Sequence, residues 1–172
     1  CYHPLHLSNT YLLYENSWSG INVDISKFSI DLFNFMRPND VNINSAVSNT
    51  DDEITFYYQK KLSQLSTIKK DISKIRFQGH IKEKKIKSFK LNTILDNSSY
   101  KNRRIDFLNI DLEGADLEAL KSLNFEIYKP KIICIEITDK NISKSETYKY
   151  LYDKKYKLVW SSKSNWGHIF IN

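Results

Sequence analysis

At 172 residues, with 41% hydrophobic and 13% aromatic side chains, the chain is long enough to bury a core in a single domain spanning 1–172 and too apolar to be disordered. Its formal net charge of +6 raises the question of a nucleic-acid partner. The lysines are scattered apart from KEKKIK at 82–87, and no helix-turn-helix, zinc-finger or RNA-recognition pattern accompanies them, so that cluster reads as a solvated face. Two cysteines make neither a disulfide framework nor a metal-ligand spacing, and no apolar run nears the roughly 20 residues that span a bilayer, so a reducing, cytoplasmic setting is expected.

The chain opens at Cys1 in an irregular loop through His3-Pro4, and Ser8 is expected to cap a helix reaching Asn16. SGINVDI (19–25) predicts a short strand ending at Asp24. SKFSIDLFNFM (26–36) predicts a helix, stopped by Arg37-Pro38. Strands are expected at 41–47 and at 53–59, then loop and short helix through 61–81, positioned as a lid. A strand at 84–91 leads to a short helix at 92–98. The strand 105–112 runs into the helix 115–123, the strand 131–137, the helix 143–153, and an antiparallel pair formed by YKLVWSS and HIFIN. Strands alternating with helices predict an α/β fold with a mostly parallel sheet covered on both faces. Trp18, Phe28, Phe33 and Phe35 are expected in the core, with Tyr57, Tyr58 and Trp166 lining a pocket.

Three acids fall at predicted strand ends: Asp24, Asp111 and Glu136. Ligands of open α/β sheets sit beyond the carboxyl ends of the strands, and a carboxylate there can accept from both hydroxyls of a ribose, a role that suits Asp24. Asp111 and Glu113 are two apart and face one side of an extended chain, while Gly114 permits the turn into the next helix. Such a pair can do general acid/base work, hold a divalent cation or bind an ammonium group, or simply cap a helix and face water. Glu136 reads as structural. His3 has the unperturbed pKa of a general base, about 6.5, with His6 behind it; His80 and His168 lack ligand-like spacing.

Together CYHPLHLSNTYLLYENSWSGINVDI, RPNDVNINSAVSN, LST at 65–67 and IDFLNIDLEGADLEALKSL followed by YKPKIICIEI resemble the FkbM-type family of S-adenosylmethionine-dependent methyltransferases. The resemblance covers residues 1 to about 137. It implies a Rossmann-like methyltransferase sheet of strand order 3-2-1-4-5-7-6, its last strand antiparallel. It puts Asp24 and the adjoining Ile25 at the cofactor ribose and Asn44, Ser45 and Ala46 beside the adenine. Cys1, Tyr2 and His3 would lie against the methionine side, and Asp111 with Glu113 would border the transfer site. The family's first strand and its Asp-x-Gly turn fall just ahead of Cys1, so this chain is expected to be a fragment lacking that central strand, with a gap of two strand spacings, about 9–10 Å.

The expected activity is methyl transfer from S-adenosylmethionine to a hydroxyl of a sugar or other small metabolite, with Asp111, Glu113 or His3 as the base. A divalent cation held by the acids is an alternative without a specific motif behind it. Two other readings compete: a non-catalytic module binding a partner or nucleic acid through its basic surface, which would bind polyanions in a salt-dependent way, and an inactive fragment, which would melt without a cooperative transition. The acceptor and the oligomeric state are open at this level.

Overall fold

The computed structural model describes residues 2–61, 63–164 and 166–172, so Cys1 lies outside the described residues. The short helix α1 (Tyr11–Glu15) is preceded by Thr10 with no side-chain capping bond, and Ser8 is not its cap. The strand β1 (Ile21–Asp24) turns directly into α2 (Lys27–Met36), because the Ser26 hydroxyl accepts from the Ser29 N–H and starts the helix. The chain returns as β2 (Val41–Asn44), parallel to β1 from Ile21 opposite Val41 to Asp24 opposite Asn44.

Ser45 breaks the predicted 41–47 strand, and β3 (Ala46–Val47) leaves β2 for another sheet. There β4 (Glu53–Tyr58) and, beyond α3 (Lys70–Arg76), β5 (Lys82–Phe89) run antiparallel, with β3 parallel on the other side of β5. After α4 (Leu91–Asp96) come β6 (Phe107–Ile110), α5 (Asp116–Lys121) and β7 (Ile132–Glu136). The helix α6 (Glu146–Asp153), capped by Ser145, and the strands β8 (Lys157–Ser161) and β9 (Gly167–Ile171) complete the order β6-β7-β9-β8, β9 being antiparallel to both neighbours.

The result is an α/β fold with mixed sheets. Of the strand pairings among the described residues, β4 with β5, β7 with β9 and β8 with β9 are antiparallel, which corrects the expectation of a mostly parallel sheet. The reason is local: β4 and β5 return on one another around α3 without crossing over, and the last two strands form a hairpin.

Side-chain alternation divides β6 and β7 into two faces. Ile110, Ile133 and Ile135 are buried with Leu120, Leu151 and Phe170 in the core, leaving Asn109, Asp111, Cys134 and Glu136 on the opposite face. Alternation also explains a correction in α2, where Ile30 and Phe33, one turn apart, face the sheet, while Phe28 and Phe35 are exposed. Trp18 is exposed as well. Phe33→Ala is therefore expected to cost about 3–5 kcal/mol of unfolding free energy and Phe35→Ala under about 0.5 kcal/mol, read from denaturant midpoints. Equal losses at the two positions would overturn this assignment of the helix faces.

Candidate functional site

The strand β1 pairs with β2 and β6 with β7, and among the described residues no ladder joins β1 to β6. A cavity of about 430 Å³ lies between them. Ile21, Asn22 and Val23 form one wall and Phe107, Leu108 and Asn109 the other. Ile94, Ala119 and Leu123 close it from the side of α4 and α5, while Ser8, Asn9 and Leu13 close it from the opening segment. Tyr2, His3 and Asp111 stand among its lining residues. Asn9 ties the opening segment to the polar face of β6, its Nδ2 donating to Asn109 Oδ1 at 2.9 Å.

Two residues of the Arg-Pro-Asn-Asp turn hold these walls. Arg37 is 1% exposed; its guanidinium donates to Pro4 O, to Ser8 Oγ at 2.9 Å and to Thr10 Oγ1 at 2.8 Å. Asp40 accepts from Gly20 N and Asn22 Nδ2, both at 2.9 Å, and so fixes the entry to β1. Both also line the cavity. Residue-by-residue reading saw only a helix stop here; the signal available was a buried-type acid and base flanking a proline turn.

The turn after β6 is built around Asp116. Its carboxylate accepts from Leu112 N at 2.9 Å and from Gly114 N at 3.1 Å, satisfying backbone donors that precede α5. Glu113 and Gly114 consequently adopt left-handed backbone angles, φ 53° and 96°. A Cβ at Gly114 would meet Ile72 Cγ1 of α3 at 3.3 Å, so both the conformation and the close approach require glycine. The segment carrying α3 grips the same turn: Thr67 Oγ1 donates to Glu113 O at 2.9 Å, and Arg76 forms an ion pair with the largely buried Glu113 carboxylate.

The predicted site residues thus divide. Asp111, Tyr2 and His3 come together at the cavity. Glu113 is turned into its ion pair with Arg76. Nδ1 of His3 accepts from Leu5 N at 3.2 Å and His6 N at 3.1 Å, so its neutral ring carries the proton on Nε2 and its lone pair is engaged in the turn. Asn44 Nδ2 donates to Asp24 O at 2.9 Å and Ile25 O at 3.1 Å, holding the turn after β1. Ser45 and Ala46 are buried, and the Ser45 hydroxyl has no hydrogen-bond partner among the described residues. Tyr57, Tyr58 and Trp166 do not line the cavity; Tyr57 packs in the β4–β5 unit and Trp166 is exposed. Among the described residues no group of three or more His, Cys, Asp or Glu side chains is placed to hold a metal ion, and no helix is long and apolar enough to cross a membrane.

Carboxylates gather at this end of the sheets. Burial raises the Asp24 carboxyl above its usual range, and the Asp111 charge adds to the rise while the Ser26 N–H opposes it. Burial likewise raises Asp116, against the backbone bond from Leu112 N. Glu136, half-buried at the end of β7, is pushed up to about 7 by burial first and then by Asp111 and Asp116, with Arg76 opposing.

The family described as "Methyltransferase FkbM domain" matches residues 2–158. No curated protein matches the chain, and no solved structure does.

The Glu136 shift has a sign that stability measurements can read. The native state keeps this proton to about pH 7, whereas an unfolded glutamate releases it near pH 4.3. Between those values the native state binds more protons, so the Glu136 contribution makes stability fall as pH rises. Unfolding midpoints at about pH 5 and pH 8 are expected to differ less in Glu136→Gln than in the parent; an equal difference would remove Glu136 from the linkage.

Proposed function

The chain belongs to the FkbM methyltransferase family, and from that premise we propose that it transfers a methyl group from S-adenosylmethionine to a hydroxyl of a sugar or other small metabolite. One observation carries the choice of cofactor: a chain of net charge +6 gathers Asp24, Asp111, Asp116 and Glu136 at one end of its sheets. That rim favours a cationic ligand.

The residues present fit this cofactor. Asp24 ends β1 with its carboxylate held by Ser26 N at 2.7 Å, where it would accept from ribose hydroxyls with Ile25 beside it. The buried, unpartnered Ser45 hydroxyl is a polar atom that a ligand can satisfy, and it supports the 44–46 segment as the adenine neighbour. Tyr2 and, by the family resemblance, Cys1 would flank the methionine portion. When bound, S-adenosylmethionine supplies a methyl group already activated on a sulfonium. The chain then has to exclude water, orient the acceptor and take up one proton. Asp111 is our candidate for that base, since it follows β6 at the carboxyl end of the strand while Glu113 is ion-paired and the His3 lone pair is engaged. The reading carries with it a reducing, cytoplasmic location and a single domain over 1–172.

We also propose a Rossmann-like sheet completed by a strand between β1 and β6. The sequence β2-β1, slot, β6-β7-β9-β8 follows the family order 3-2-1-4-5-7-6 with only the central position open, and β9 is the antiparallel member.

Calorimetric titration of S-adenosylmethionine into the protein tests the reading. Saturable binding is expected, lost in Asp24→Ala; absence of binding to the parent protein would sink it. With an acceptor in hand, Asp111→Asn is expected to lower turnover by about 10²–10⁴ with cofactor affinity unchanged, and equal turnover would remove Asp111 from the chemistry.

A further inference from the structure

The chain's charge is divided between two parts of the fold. Residues 53–90, from β4 through α3 to β5, hold eleven Lys or Arg against three Asp or Glu, a net of +8. The remaining residues hold fifteen against seventeen, a net of −2. Three of the eleven cations make ion pairs among the described residues: Lys69 with Glu118, Arg76 with Glu113 and Lys85 with Glu53. Lys82 and Lys84 on β5 are exposed, as are Lys60 and Lys61 beyond β4 and Lys70 and Lys74 on α3. Among the described residues β3 reaches β5 only at Ser88 and Phe89, and lysines on such a strand can serve to keep further strands from adding to it. That role would not ask for the cations of α3 or for those that follow β4.

This basic unit is fastened at two points of the proposed site. Lys61 O accepts from Ser26 Oγ at 2.7 Å, and Ser26 N in turn donates to Asp24 Oδ1. Thr67 Oγ1 donates to Glu113 O at 2.9 Å, in the turn that follows Asp111. Strand register carries the lysines to the same place. Thr67 pairs with Tyr57, Tyr57 stands opposite Glu83, and Lys82 and Lys84 flank Glu83. The lysine row is therefore two strand spacings, about 9–10 Å, from the residue that touches the turn.

We propose that the β4–α3–β5 unit docks the acceptor, and that the acceptor carries phosphate or carboxylate groups which these lysines hold while its hydroxyl meets the turn after β6. The inference rests on the methyl-transfer reading and names the acceptor's class. The two substrates then sort by charge. The sulfonium cofactor belongs with the acids at the strand ends, the anionic acceptor with the lysines beside them. Each surface attracts its own ligand and repels the other's, so both reach the turn without competing for one place.

Probes in place of the acceptor test the docking surface. Tripolyphosphate and hexagalacturonate are expected to bind the protein, more weakly as salt is raised, and neutral maltohexaose to leave it unchanged. The tighter of the two anions tells a phosphate-bearing from a carboxylate-bearing acceptor. Lys60→Gln/Lys82→Gln/Lys84→Gln is expected to weaken that binding about tenfold or more. Lys129→Gln/Lys140→Gln/Lys144→Gln removes equal charge from exposed positions outside the unit, and is expected to change the binding less than about twofold. Equal losses in the two variants overturn the assignment. Equal binding of an oligothymidylate matched in charge does so too, and would make the unit a surface for nucleic acid. Transfer itself is read with methyl-tritiated S-adenosylmethionine and a small-molecule extract of the source cells, with label expected in the fraction that an anion-exchange resin retains. Label confined to unretained material overturns this inference alone; failure of S-adenosylmethionine to bind overturns the methyl-transfer reading, whatever the anions do.

Discussion

A guanidinium taken out of water has to find acceptors inside the protein, and Arg37 finds them in the opening segment. Its nitrogens donate to Pro4 O, Ser8 Oγ and Thr10 Oγ1, and the group lies over the rings of Phe33 and Tyr14 at 5.1 and 5.2 Å. Phe33 belongs to the buried stripe of α2, so one buried charge joins that helix to the described residues ahead of α1, at Pro4, Ser8 and Thr10. Those residues close one side of the cavity and carry Tyr2 and His3 to its lining. Asp40, three residues on, fixes Gly20 and Asn22 and with them the start of β1. Without this turn neither the opening segment nor the β1 wall would have a defined place.

The second organising element is electrostatic. Lysines are spread over the surface, notably along β5, while carboxylates are drawn together where β1, β6 and β7 end. Such a collection costs folding free energy unless something compensates it. Part of the compensation is visible: backbone N–H groups serve Asp116 and Asp24, and Arg76 serves Glu113. For Glu136 burial is the larger cause of its raised carboxyl, with Asp111 and Asp116 adding to it and Arg76 opposing.

Much of the architecture was legible in the chain. The β-branched run before Asp24, the strand through Ile110, KIICIEI and the closing strand pair all form as patterned, because burial on one or both faces leaves few alternatives for short apolar runs bounded by turn residues. The helix at α2 was legible in extent but not in orientation. Its apolar residues surround the axis, and periodicity alone could not say that Ile30 and Phe33 would be chosen over Phe28 and Phe35. The break at Ser45 was hidden for a related reason: a run of alternating residues carries no mark of which neighbouring strand each half will join.

The sequence by itself determined the alternation of strands and helices, the acids at strand ends, the glycine turn after β6 and the family to which the chain belongs, since each depends on residue type and spacing along the chain. Tertiary structure alone decided that Arg37 would be buried and that Glu113 would be spent on Arg76. Those outcomes depend on groups far apart in the chain, as in Arg37 with Ser8 or Arg76 with Glu113. A carboxylate or an imidazole looks the same in a sequence whether its partner is water, a backbone N–H or another acid; the fold selects the partner, and the partner sets the chemistry.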